Sequence, residues 1–385
     1  MKKKILVTFL VFAIALIAFN IFTTKINFTD VTQYLNVGKE FAEIATSKVR
    51  NTPGLTYGML VGQALKIIPH ILTAKLFNVL WLFLDGVLLY YITKRWRTLL
   101  LWMFSPIVWY MGSWISPLLP ISFLFLITYY NIKQFEKTNK YRYLILSGLC
   151  LGLASTLWWA AVYISIFFVV SYLLLKKLIT TAIFGISWAL TFSIRILLDQ
   201  YLYNMPFYSS LRGLGSNVLY GLGHAGIETG ITAKLLQILL LLVIISPFLF
   251  RLYKVNPITN FKDLFFLLLI SILFIANLQI RYFLVIAPIL IMLLAPVLSK
   301  KEFKFHILIS LVIIAFLVTP YFGATQDYLI SQDLKKLETD FPGETFIAGS
   351  ENTAAGYASL FSSLYWGDSI KEFVEYEEYV LGITE

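Results

Sequence analysis

Residues 1–22 read MKKKILVTFLVFAIALIAFNIF, three lysines followed by eighteen residues without a charged side chain. A helix rises about 1.5 Å per residue, so roughly 20 apolar residues cross the hydrocarbon core of a bilayer, with every backbone polar group bonded internally. Lysines ahead of such a run mark a cytoplasmic flank. The same opening also fits a cleaved signal peptide. The run is long for a signal core, so it is read as an anchor.

Runs of this kind recur. Spans are expected near residues 5–22, 70–92, 98–111, 118–132, 143–157, 160–175, 178–198, 233–252, 264–280, 282–298 and 306–322. The expected fold is therefore an all-α polytopic membrane protein with about eleven transmembrane helices, the soft borders allowing roughly ten to twelve. Residues 1–322 form the multi-span membrane domain, with outer loops at 23–69 and 199–232, and residues 323–385 form an acidic extracytoplasmic tail.

Composition excludes the competing classes. The 385 residues are 59% hydrophobic and 14% charged, with a mean hydropathy of +0.78, which is far from an ordinary soluble domain. A disordered chain would not carry 32 Phe, 23 Tyr and 9 Trp, and a disulfide scaffold would need more than one cysteine. That cysteine, Cys150, sits in an apolar run and reads as a small buried hydrophobe rather than a reactive thiol.

The formal charge of +10 does not point to nucleic acid. From Gly323 onward there are 12 Asp and Glu against 3 Lys, a net of −9, so the remainder carries 28 basic and 9 acidic residues, a net of +19. The basic residues cluster on alternate connections: Lys2 to Lys4, Lys94 to Arg97, Lys133 to Arg142, Lys176-Lys177, Arg251 to Lys262 and Lys300 to Lys304. This alternation is the positive-inside pattern, and it places the N-terminus in the cytoplasm and the tail outside. No aromatic-basic stripe exists along which a nucleic acid backbone would lie, so no nucleic acid partner is expected. With no organelle signal in the sequence, a plasma membrane is the simplest setting.

Three outer segments are too long to be mere turns. The first holds two stretches of helical periodicity, 31–44 and 55–68, broken at Pro53-Gly54, which fits amphipathic helices on the outer surface. The second, rich in Gly and Tyr, reads as a loop over a cavity. The tail alternates a short strand at 345–349, a helix start at Ser350-Glu351-Asn352 before 353–365, and a second strand at 373–376. A small β-α-β unit capping the outer face is expected.

The stretch after the first span carries the chemistry: Asp30, Tyr34 four residues later, then Thr52-Pro53-Gly54-Leu55-Thr56-Tyr57. Later come Phe104-Ser105-Pro106, Ser147-Gly148-Leu149 with Gly152-Leu153-Ala154, and Arg281-Tyr282 with Pro288. In this order the motifs resemble GT-C-type polyprenyl-phosphate-dependent glycosyltransferases, mannosyltransferase-like integral membrane enzymes, over most of residues 1–300. Each motif is short, so the ordered combination carries the resemblance. It implies transfer of a sugar from a polyprenyl-phosphate donor, within the lipid bilayer, to a lipid, glycan or protein acceptor outside the cytoplasm.

Asp30 matches the position of the family's catalytic carboxylate. An inverting displacement needs one base to take the acceptor hydroxyl's proton. A phosphate leaves without a proton, so no general acid is required, unlike glycoside hydrolysis with its two carboxylates. Asp30 followed by Val31-Thr32-Gln33 also reads as a variant capping box, and both roles are compatible. Many relatives carry a second acid between the third and fourth spans, where this chain has Gly112-Ser113-Trp114-Ile115-Ser116-Pro117 and no carboxylate. Hard cations want several charged oxygens, so no metal and no cofactor is expected. Glu40 and Glu43 share a helix face but stand among lysines, and read as a solvated surface.

The donor phosphate needs cationic partners near the outer interface. The candidates are Arg212, His224 and Arg281, with Tyr34 and Tyr57 as further substrate contacts. Arg281 also suits an interfacial anchor, and Arg212 and His224 suit simple exposure in the Gly-rich loop. His70 and His306 read as span-end residues. Asp85 falls inside the second span, where an ionised Asp costs about 2.5–3.5 kcal/mol, so it needs a partner, a water cavity or a proton. An interhelical link is its expected role. Two other classes stay open: a transporter or flippase, which internal repeats, broken helices and buried charges would favour, and a non-catalytic membrane assembly protein.

Overall fold

In the computed structural model the described residues are 2–23, 34–35, 37–38, 41–42, 55–158, 161–174, 177–209, 211, 280–296, 298–322, 336, 339–340, 347–348 and 374–375. The described chain is mostly helical, with turns and short connections between the helices and four strand residues. In order come α1 (Lys2–Phe22), α2 (Leu55–Leu65), α3 (Ile71–Thr93), α4 (Trp96–Met103), α5 (Pro106–Met111), α6 (Leu118–Thr138), α7 (Tyr141–Leu157), α8 (Ala161–Leu174) and α9 (Leu178–Tyr203). A 3-10 helix (Ile280–Val285), α10 (Ala287–Leu294), α11 (Lys300–Val318) and a second 3-10 helix (Thr319–Phe322) follow. The spans expected at 233–252 and 264–280 lie outside the described residues, except that Ile280 opens the first 3-10 helix.

Among the described residues, four helices have the length and apolar composition to cross a membrane: Lys3–Phe22, Ile71–Thr93, Leu178–Tyr203 and Lys300–Phe322. They also leave apolar side chains uncovered, such as Leu6, Leu10, Ile14 and Ile21 on α1 and Leu308, Val312 and Phe316 on α11. Rows like these suit hydrocarbon rather than water. The helices α7 and α8 have 17 and 14 residues, shorter than a span of about 20.

Two expected spans are broken, each at a proline. In the run 98–111, α4 stops at Met103 and α5 starts at Pro106. The carbonyl of Trp102 would take its helical hydrogen bond from residue 106, but proline has no N–H. The Ser105 N–H takes that carbonyl instead at 3.0 Å, and the Trp109 indole N–H takes the next one, of Met103, at 2.7 Å. In the run 282–298 the break falls between Val285 and Ala287, ahead of Pro288. The span expected to end at 198 is longer: α9 continues to Tyr203, ending on Asn204 in the left-handed region at φ 52°. It can continue because Arg195 and Asp199, four residues apart on one face, form a buried ion pair at 3.7 Å. Asp199, expected to open the outer loop, therefore belongs to the helix. His306 likewise lies inside α11 and is buried rather than at a span end.

The chain divides into two compact units. The first comprises Met1–Phe12, Trp81–Met111 and Pro117–Ala315. Its tightest seam joins α7 and α9, where a Cβ placed on Gly148 would stand 2.7 Å from the Phe184 carbonyl and 2.7 Å from the Ser187 Cβ. Small residues one turn apart let two backbones approach, which matters in lipid because apolar burial alone does not drive helices together there. Hydrogen bonds stitch the seam: the Thr191 hydroxyl donates to the Leu149 carbonyl at 2.9 Å and the Trp188 indole to the Ser155 hydroxyl at 3.1 Å.

The second unit comprises Ala13–Leu80, Gly112–Ser116 and Phe316–Glu385. Its described part holds the later turns of α1, α2, the first turns of α3, the 112–116 connection and the second 3-10 helix. In the tail, β1 (Ile347–Ala348) pairs in parallel with β2 (Val374–Glu375), Ile347 opposite Val374. The helix expected between these strands lies outside the described residues.

Candidate functional site

The second unit gathers polar side chains in its interior. Asn20 and Thr23 come from the end of α1, Thr56 and Tyr57 from α2, Lys75 and Asn78 from α3, and Ser113 and Ser116 from the connection 112–116. All are buried, Lys75 to 3% exposure and Tyr57, Asn78 and Ser113 completely. An unpaired polar group in such a place costs about 1–3 kcal/mol, so each hydrogen bond carries information.

Tyr57 is the centre of the arrangement. Its hydroxyl donates to Asn78 Oδ1 at 2.6 Å, and the Ser116 N–H reaches the same oxygen at 3.5 Å. The Asn78 amide is oriented by donating to the Ala74 carbonyl at 2.8 Å. Tyr34 lies edge-on against Tyr57, ring centroids 5.1 Å apart. Burial is the main cause that pushes the Tyr57 phenol well above its ordinary value, with the Asn78 hydrogen bond pulling down and Tyr34 adding to the rise. Tyr57 is accordingly a neutral hydroxyl.

Glycines bring the two tyrosines together. Tyr34, Leu35, Val37 and Gly38 are helical, and they lie against α2 at Gly58 and Gly62. A Cβ on Gly58 would fall 2.8 Å from the Tyr34 carbonyl, and one on Gly62 would fall 2.6 Å from the Gly38 carbonyl. Only a residue without a side chain permits that approach.

One turn before Asn78, Lys75 extends its ammonium to the Thr23 carbonyl at 3.0 Å. Residues three apart share a helix face, so α3 presents a cation and an amide side by side. The Asn20 amide donates to the carbonyls of Leu16 and Gly112, at 2.9 and 2.8 Å. Asn20 Oδ1 and the neighbouring Ser113 Oγ have no hydrogen-bond partner among the described residues. Trp114 closes this side, its indole donating to the Tyr321 hydroxyl at 3.3 Å.

Of the residues singled out in the sequence, Tyr34 and Tyr57 are thus in contact. Asp30, Arg212 and His224 lie outside the described residues, as do Glu40 and Glu43. Arg281 belongs to the first unit, where its guanidinium lies over the Tyr282 ring at 5.2 Å, and that ring stacks on Trp158 at 5.6 Å. Asp85, also in the first unit, accepts a hydrogen bond from Ser122 of α6 at 2.9 Å, an interhelical link. Among the described residues no cluster of three or more His, Cys, Asp or Glu stands ready for a metal ion.

Sequence reasoning passed over Lys75, Asn78, Asn20 and Ser113 as site residues. The signal was present for two of them: Lys75 and Asn78 are polar residues at i and i+3 inside a largely apolar span. Comparison with family models, curated proteins and solved structures returns no match for the chain.

Proposed function

We propose that this chain is a membrane glycosyltransferase that moves a sugar from a polyprenyl-phosphate donor to a lipid, glycan or protein acceptor on the extracytoplasmic side. The supporting observation is the joining of Tyr34 to Tyr57, two residues of the stretch that opens the family resemblance, with Tyr57 bonded to Asn78 one turn from the buried Lys75. A buried ammonium is a costly feature that an anionic ligand stabilises. In this reading Lys75 answers the donor phosphate, while Tyr57, Asn78 and Ser113 offer hydroxyl and amide groups of the kind that hold a sugar.

The chemistry needs one base. The Asp30 carboxylate takes the proton of the acceptor hydroxyl, whose oxygen forms a bond to the anomeric carbon. The bond from that carbon to the phosphate oxygen breaks, and the polyprenyl phosphate leaves with the electron pair. A phosphate is stable as the departing anion, so no second carboxylate is required.

The test is transfer of labelled sugar by the detergent-purified protein, with a panel of polyprenyl-phosphate sugars as donors and a membrane lipid extract as acceptor. Wild-type transfer that falls at least about a hundredfold in folded Asp30→Asn is expected, the usual size of a general-base contribution. Equal transfer by both would move the base elsewhere. No transfer with any donor from folded wild type would overturn the reading. A specific observation favours a second one: two prolines break helices of the first unit, and Asp85 is buried there, features that transporters share. Sugar-lipid movement across vesicles without bond transfer would select it.

A further inference from the structure

Asp85 of α3 is fully buried, and so are Ser122 of α6 and Leu284 of the first 3-10 helix. The Ser122 hydroxyl oxygen lies 2.9 Å from Asp85 Oδ2 and 3.2 Å from the Leu284 carbonyl oxygen. The Leu284 carbonyl is available for a reason written in the sequence. An α-helical continuation would bond it from residue 288, which is proline and has no N–H. A serine hydroxyl has one proton to give. Against an ionised Asp85 it faces two acceptors, and one contact is left as oxygen against oxygen without a proton. The other carboxyl oxygen, Oδ1, has no donor among the described residues.

No charged side chain among the described residues answers Asp85. On its own helix Lys75 bonds the Thr23 carbonyl. On α4, Arg97 donates to the Leu298 carbonyl. On α6, Lys133 and Glu136 pair with each other at 3.5 Å. On the 3-10 helix Arg281 lies over Tyr282. The adjoining residue Gly86 packs against Trp102, Leu99 and Phe12.

We propose that Asp85 is a proton-binding site within the membrane domain. A proton on Oδ2 resolves the count: the acid donates to the Ser122 oxygen, and the Ser122 hydroxyl donates to the Leu284 carbonyl. Three elements, α3, α6 and the 3-10 helix before Pro288, are then joined by one directional relay. Removal of the proton leaves a single hydroxyl for two acceptors, so the carboxylate and the Leu284 carbonyl compete for it. Proton occupancy at Asp85 is thereby linked to the hold on the broken helix at Pro288. The competing ligand for such oxygens is a sodium ion, which would use Asp85, Ser122 Oγ and the Leu284 carbonyl as an oxygen cage.

The experiment is an infrared difference spectrum of the full chain in lipid nanodiscs, wild type minus Asp85→Asn, at neutral pH in sodium-free buffer. The expected result is a deuteration-sensitive C=O band of a protonated carboxyl that persists when sodium is added. Ionised-carboxylate bands in that difference, or conversion of the acid band to carboxylate by sodium, overturn the proposal. Ser122→Ala keeps the acid but removes its acceptor, so the band should move to higher frequency. An unmoved band overturns the relay, and this second variant serves alone if Asp85→Asn does not fold.

Discussion

Two glycine contacts in this molecule use the same spacing for different ends. In the first unit Gly148 and Gly152 of α7 bring its backbone against α9; in the second Gly58 and Gly62 of α2 bring that helix against Tyr34, Val37 and Gly38. Around the first pair the neighbours are the Phe184 carbonyl, the Ser187 Cβ and Trp188, on a helix of 26 residues stitched through Thr191 and Trp188. Around the second the helix has 11 residues, and its product is a juxtaposition of Tyr34 with Tyr57 and of Tyr57 with Asn78. One contact is a seam and the other is a mount. The difference teaches that close backbone approach is not by itself a sign of structure or of site, and that the polar atoms it delivers decide between them.

The largest effect should come from the seam. In Gly152→Ala the new methyl would collide with Thr191 Oγ1 and the Trp188 carbonyl. A side chain can rotate aside, but a backbone carbonyl moves only if α9 moves. Overpacking of this kind costs on the order of 3 kcal/mol. Thermal or denaturant unfolding in detergent micelles should show that loss. An unfolding curve matching wild type would mean that α7 and α9 are not held by this approach.

How much of this was legible beforehand depends on which part of the residue does the work. The runs behind α1 and α3 were legible because apolar side chains alone define them, and their observed ends fall within a few residues of expectation. The breaks at Pro106 and Pro288 were not read, although the prolines are in plain view, because counting apolar side chains ignores the missing backbone donor. The end of α9 was misplaced because Arg195 and Asp199 look like a solvent boundary one residue at a time and only their i, i+4 pairing neutralises them. At the candidate site Tyr34 and Tyr57 were found through the resemblance, while Lys75 and Asn78 were missed because the partners that make them informative, Thr23 and Tyr57, are distant in sequence. Polar residues in apolar helices are legible as anomalies, and their partners are legible only in the fold.

An intermediate effect should come from the mount, and it sharpens the comparison by splitting stability from function. Gly62→Ala places a methyl 2.6 Å from the Gly38 carbonyl. Because α2 is short, it can shift as a piece, and the expected loss of stability is only about 1 kcal/mol. The shift falls on the Tyr34 to Tyr57 contact, so sugar transfer should drop about tenfold, equivalent to about 1.4 kcal/mol in the barrier. If Gly62→Ala instead lost several kcal/mol of stability and kept its transfer, the mount would be a seam after all.

The smallest effect is the one that makes the other two interpretable. Every glycine-to-alanine change in a helix also removes backbone freedom from the unfolded chain and adds helix propensity, up to about 1 kcal/mol in the stabilising direction. That contribution is shared by Gly152, Gly62 and Gly185, since all three are helical. At Gly185 of α9 an added Cβ would meet nothing within 4 Å. Gly185→Ala should therefore unfold with wild type or slightly above it, by no more than about 1 kcal/mol, and leave transfer unchanged. A loss at Gly185 would show that alanine disturbs these helices for a reason other than space, and the losses at Gly152 and Gly62 could then not be assigned to the backbones they touch. A neutral result leaves close approach as the one difference among the three sites.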